Sequence, residues 1–210
     1  MEQKSLIKIA VIGPESTGKT TLCELLAKHY KTQWCPEYAR EYLLKHGMNY
    51  SYDDLLYIAK QQLTLENSYV SSMVNSQWSI INSPASGADS SLIIDQSQLT
   101  IHPSPLFIDT DMYVMKVWCE FVFGKCHKWI LEQIVARKYD LYLLCNTDLP
   151  WVKDELREYP DLKTRDRLYH FYKDIMINQS TPWVDINGNP DERSQKAIKA
   201  VDQLLGSVPF

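Results

Sequence analysis

The chain has 210 residues, of which 45 % are hydrophobic and 23 % charged, enough for one full core, whereas two domains would each be small. With 22 basic against 26 acidic residues the formal charge is −4, so there is no general field for nucleic acid and any such contact would have to be local. Five cysteines without a CxxC pair suit reduced thiols rather than a disulfide framework or a zinc site, and no apolar run nears the ~18 residues that suggest a membrane span.

The N-terminus enters its first apolar run after about six residues, leaving no room for a signal peptide, so a cytoplasmic location is expected. That run, Ile7-Lys8-Ile9-Ala10-Val11-Ile12, predicts a strand, and residues 20–30 carry Leu22, Leu25, Leu26 and His29 at helical spacing. Between them lies Gly-Pro-Glu-Ser-Thr-Gly-Lys-Thr, residues 13–20, in the strand, loop and helix order that a phosphate-binding P-loop requires. Gly13 and Gly18 let the backbone turn its N–H groups inward, and Glu15, Ser16, Thr17 and Thr21 complete the cradle at a positive helix end. Lys19 reaches toward β- and γ-phosphates, and the Thr20 hydroxyl suits Mg²⁺. ATP with Mg²⁺ is therefore the expected cofactor.

A short strand is predicted over 33–35, ended by Pro36, then a helix over 37–46 closed by Gly47 and a long helix over 52–73. Residues 75–104 are serine-rich and read as an inserted loop, with 91–95 its strand-like run. Leu106-Phe107-Ile108 predicts a buried strand ending at Asp109-Thr110-Asp111, followed by a helix through Trp118 and Phe121 to a break at Gly124. A helix over 127–138, an interior strand over 141–145, a charged stretch over 151–158, an amphipathic helix, a strand over 182–186 and a closing helix over 191–205 complete the chain. Alternation of strands and helices makes the class α/β, with a parallel sheet covered on both faces.

Three clusters bear on what the phosphate site does. Glu37, Arg40 and Glu41 lie just past the second strand, within reach of a substrate beside the γ-phosphate, although a solvated helix face explains the same spacing. Asp109 and Asp111 stand at a strand's C-terminal end, where carboxylates meet ligands or hydrated Mg²⁺; a helix cap is the competing role, chiefly for Asp111. Arg157, Arg165 and, more weakly, Arg167 follow the 141–145 strand, where a short helical segment would make a lid that excludes water and neutralises charge during phosphoryl transfer.

Together these motifs resemble the kinase domain of the NadR family, which phosphorylates nicotinamide riboside. The likeness is carried by residues 13–20, by Pro-Glu-Tyr-Ala-Arg-Glu-Tyr at 36–42, by Phe-Ile-Asp-Thr-Asp at 107–111 and by Trp-Val-Lys-Asp-Glu-Leu-Arg at 151–157. It covers nearly the whole chain except 75–104, without the adenylyltransferase and helix-turn-helix domains of that family. The resemblance implies a single three-layer P-loop NTPase domain over 1–210, with a five-stranded parallel core sheet and a short arginine lid. It implies a nucleoside site walled by Glu37, Tyr38, Arg40, Asp109, Asp111 and Trp118, with Gln62 in addition.

The expected reaction transfers the γ-phosphoryl group to a riboside 5′-hydroxyl, with Lys19 and Arg157 on the phosphates and Glu37 first, Asp109 second, as the group that takes the proton. Asp109 more readily serves the metal through water. Another nucleoside-type kinase, or an ATP-sensing module without turnover, fits the same loop. The sequence leaves oligomeric state open and points to no membrane or nucleic-acid partner.

Overall fold

The computed structural model describes residues 6–82, 103–153, 155–156 and 158–206, with backbone alone for 76–82. At its centre is β1 (Leu6–Ile12), in which every residue from Ile9 onward is buried. The chain continues through α1 (Lys19–Tyr30), β2 (Trp34–Cys35), α2 (Tyr38–His46), α3 (Tyr52–Asn82), β3 (Ser104–Asp109), α4 (Met112–Phe123) and α5 (Lys128–Ala136). It closes with β4 (Leu141–Cys145), α6 (Leu162–Ile177), β5 (Trp183–Ile186) and α7 (Pro190–Gly206). The strands form one sheet in the order β2-β3-β1-β4-β5, and each pairing is parallel. Both neighbours of β1 are reached by helical crossovers, so the C-terminal ends of β1, β3 and β4 open on the same edge.

Side-chain alternation along β1 divides the core into two layers. Ile7, Ile9 and Val11 pack with Leu22, Cys23 and Leu26 of α1 and Ala197, Ala200 and Val201 of α7. Ala10 and Ile12 face Val114 and Val117 of α4 and Leu168, Tyr172 and Met176 of α6. A third cluster ties α2, α3, α4 and α5 together through Ala39, Leu55, Ile58, Met115 and Ile130. Buried on both faces, β1 and β4 lack a polar alternation, as expected of a covered parallel sheet.

Two expectations are corrected. The helix expected to end at Met73 runs to Asn82, so the first part of the presumed 75–104 loop is helical. Serine and asparagine lower intrinsic propensity, but extending a helix already anchored by Leu55, Ile58 and Leu63 needs no new nucleus. The strand-like run at 91–95 lies outside the described residues. Between β4 and α6 the described residues form turns and irregular chain instead of a helical lid, with Pro150 and Pro160 bracketing the stretch. Arg165 belongs to α6 itself. All five cysteines are unpaired, and among the described residues no helix is long and apolar enough to cross a membrane.

Candidate active site

The P-loop leaves β1 at Gly13, whose φ of 137° and close approach to β4 exclude a side chain: an added Cβ would lie 2.6 Å from the Cys145 carbonyl oxygen. Gly18, at φ 77°, forms the N-cap of α1 and aims that helix's unpaired N–H groups into the loop. Thr17 Oγ1 donates to the Pro14 carbonyl at 2.7 Å and Lys19 Nζ to the same oxygen at 2.9 Å, so the ammonium lies folded over the cradle. Arg193 of α7 buttresses the loop from behind, with its guanidinium bonded to the Thr17 carbonyl at 2.6 Å and paired with Asp148.

Behind α1's first turn, Thr20 Oγ1 donates to Asp109 Oδ2 at 2.6 Å. Asp109 is fully buried and its Oδ1 has no partner. Burial, then the nearby Glu37 carboxylate, raises its pKa, against the opposing pull of Lys19 and Thr20. A buried acceptor oxygen beside a hydroxyl fits a hydrated hard cation such as Mg²⁺. The next residue, Thr110, holds φ 77°, a strained value for a β-branched residue, and its hydroxyl donates to Glu37 Oε1 at 3.2 Å. Glu37 precedes α2 without capping it, which leaves its carboxylate for Thr110 and the pocket.

The pocket joins the whole P-loop, residues 13–21, to Glu37, Ala39, Arg40 and Leu43 at α2 and to Val114, Val117, Trp118 and Phe121 on α4. Leu156, Glu158 and Tyr159 from the segment after β4, and Leu168 and Tyr172 of α6, close it. That segment is bonded directly to the loop: Glu15 accepts from the backbone N–H groups of Glu158, at 2.9 Å, and Tyr159, and Ser16 Oγ accepts from Val152 N at 3.2 Å.

A family model described as AAA domain matches residues 8–85 and 93–193. The chain belongs to the AAA domain family. It is also a distant relative of the trifunctional NAD biosynthesis/regulator protein NadR of Salmonella typhimurium and of Escherichia coli, each 22 % identical over 206 residues. Those matches cover 94 % of this chain and 42 % of either relative, so the chain spans less than half the length of the NadR proteins. The crystal structure of NadR in complex with NR superposes with a TM-score of 0.68 at 20 % identity, covering 96 % of this chain and 51 % of that one. Thymidylate kinase from Ehrlichia chaffeensis gives 0.60 at 11 % identity over 95 % and 99 % of the two chains. The α/β P-loop NTPase fold follows from these likenesses.

Of the residues singled out in the sequence, the structure brings Gly13, Glu15, Ser16, Thr17, Gly18, Lys19, Thr20, Thr21, Glu37, Arg40 and Trp118 onto one pocket, with Asp109 behind Thr20. Arg157 lies outside the described residues. Four others are placed differently. Asp111 caps α4, where its Oδ1 accepts from Tyr113 N and Val114 N and its Oδ2 from Tyr142 Oη, so both oxygens are committed in the core. Gln62 is buried and clamps the β2 exit, accepting from Tyr38 N at 2.7 Å and donating to the Pro36 carbonyl at 3.2 Å. Tyr38 packs toward Tyr57, with ring centroids 6.5 Å apart, away from the pocket wall. Arg165 is buried in α6, with Nη1 on the Leu149 carbonyl at 3.5 Å. A charged residue in an amphipathic helix looks exposed until the neighbouring loop covers it.

Sequence reasoning missed Arg193, Tyr50 and Glu158. Arg193 sits in the closing helix, more than 170 residues from its partner Thr17, and nothing local distinguishes it from a surface arginine. Glu158 ends the charged 151–158 run, which was read for its arginine alone.

Proposed function

We propose that this chain is an ATP-dependent kinase that phosphorylates the 5′-hydroxyl of nicotinamide riboside to nicotinamide mononucleotide. The observation that carries the reading is the single cleft in which the P-loop faces Glu37, Arg40 and Trp118. Distant relatedness to NadR, solved in complex with NR and with NAD and AMP-PNP, supports the choice of acceptor and of ATP.

In this reading the loop N–H groups and Lys19 hold the phosphates, and Thr20 Oγ1 with Asp109 through water would hold Mg²⁺. When bound, that ion neutralises charge between the β- and γ-phosphates. Of Glu37 and Asp109, Glu37 is the one that lines the pocket, so it orients the acceptor hydroxyl and accepts its proton, while Asp109 is screened behind Thr20. Leu156 and Tyr159, held over the P-loop by Glu15, exclude water from the cleft. Positioning in this cleft supplies most of the rate.

The test measures ADP release with Mg·ATP, with and without nicotinamide riboside, alongside mass detection of the mononucleotide and a Lys19→Ala blank. Riboside-dependent ADP release and product, both lost in the blank, support the reading. ATP binding without riboside turnover overturns it and moves the search to other nucleosides, then to ATP sensing.

A further inference from the structure

The pocket wall around Trp118 carries a charge that the phosphate chemistry does not use. Trp118 Nε1 donates to Tyr50 Oη at 2.9 Å, and Tyr50 donates its own proton to Glu158 Oε2 at 2.7 Å. The direction of this relay is set by its first member, because an indole N–H can only donate. Tyr50 therefore gives its hydroxyl proton to Glu158, which accepts it; partial burial and the nearby Glu15 raise the Glu158 pKa above the usual value while the Tyr50 bond opposes that rise. Tyr50 and Trp118 meet edge to face at 5.0 Å, which fixes the indole plane beside the pocket. The backbone of Glu158 is held by Glu15 at 2.9 Å, so its carboxylate is positioned from both ends.

The neighbouring wall residues Val114, Val117, Phe121 and Leu156 are apolar. Among the described residues the pocket's cations are Lys19, folded onto the P-loop carbonyl, and Arg40 on α2. From this arrangement we infer that Glu158 selects the acceptor by the charge of the ring's substituent, favouring a pyridinium that bears a neutral carboxamide over one that bears a carboxylate. Either pyridinium can lie on the π-face of Trp118, but a substituent carboxylate cancels the ring's charge and meets Glu158 as like charge beside apolar surface. Glu158 is exposed at the pocket rim, so solvent limits the discrimination to about tenfold. The inference rests on the kinase reading for the riboside scaffold, and on the Tyr50–Trp118–Glu158 relay for the charge preference.

The experiment measures equilibrium binding of nicotinamide riboside and nicotinate riboside by calorimetry, with a non-hydrolysable ATP analogue present, to the full chain and to its Glu158→Gln and Tyr50→Phe variants. Wild type should bind the nicotinamide riboside about tenfold more tightly, Glu158→Gln should bring the two within about twofold, and Tyr50→Phe should fall between. An unchanged ratio in Glu158→Gln, no binding of either riboside, or a wild-type preference for nicotinate riboside, as Arg40 dominance would give, overturns the inference. Turnover of both ribosides on the same samples separates the two readings: Glu158-dependent discrimination in binding without phosphorylation removes the kinase reading alone, and phosphorylation without discrimination removes this inference alone.

Discussion

Thr20 and Asp109 meet at 2.6 Å where the first turn of α1 crosses the end of β3, and the carboxylate oxygen not used in that contact is buried without a partner. Residues 89 positions apart thus form one unit of hydroxyl donor and waiting acceptor. Asp109→Asn preserves shape and one acceptor but removes the charge that a cation needs. Turnover should fall by about a hundredfold or more, while the thermal midpoint holds or rises because an uncompensated buried carboxylate has been removed. Steady-state kcat at saturating Mg·ATP, with a melting curve, checks both; unchanged kcat would place the metal elsewhere.

Asp111, two residues on, should behave in the opposite way. Asparagine there can still cap α4 and bond Tyr142, so Asp111→Asn should retain kcat within about threefold. Asp111→Ala removes the cap and leaves the buried Tyr142 hydroxyl unpaired, costing about 2 kcal/mol in urea unfolding. A large loss of kcat in a stably folded Asp111→Asn would return this carboxylate to the site.

Arg193 joins the closing helix to the loop carbonyl of Thr17 and to Asp148. Arg193→Ala leaves a cavity and unpaired acceptors, so unfolding stability should drop by about 3 kcal/mol, with KM for ATP rising as the loop loosens. Arg193→Lys should recover less than half of that loss, since an ammonium cannot span both acceptors as the planar fork does. Chemical denaturation of the three proteins measures the order.

Glu15 ties the segment after β4 to the P-loop by two backbone bonds. Glu15→Ala should free residues 150–160 for cleavage in limited proteolysis, with the sites mapped by mass spectrometry. An unchanged cleavage pattern would mean that Leu156 and Tyr159 hold the segment without it.

At the start of α3, Asp54 accepts from Tyr42 Oη at 2.6 Å and from Ser51 N at 2.7 Å, which lowers its pKa from 3.8 to about 2. Folded protein therefore binds this proton less readily than unfolded chain, and the contribution is complete above pH 3.8 and lost as pH falls through about 2. Asp54→Ala should flatten the acid limb of the stability curve in that window. The difference should be small and shrink with added salt, because the group is exposed.

Much of this molecule was legible locally. Gly13 and Gly18 bracket a loop whose backbone only glycine permits, and the residue types of Lys19 and Thr20 name their partners without any tertiary contact. The largely apolar runs at β1 and β4 read as covered parallel strands because neither carries an alternating polar face, and β4 is buried throughout as β1 is from Ile9 onward. Glu37 was placed in the site by its position just past the second strand and Trp118 by the resemblance to NadR, and the pocket includes both. Asp109 and Asp111 show where such reading stops. Two carboxylates two positions apart at a strand end both read as site candidates, yet the fold sends one to Thr20 and the other to Tyr142. Local pattern determined the strand, the phosphate loop and the class of fold, because short-range sterics and hydrophobic period decide them. Only the tertiary structure assigned Arg193 to Thr17, Glu15 to the segment after β4 and Glu158 to Tyr50, because partners more than a hundred residues apart become neighbours only when the crossovers bring strand ends and helices together.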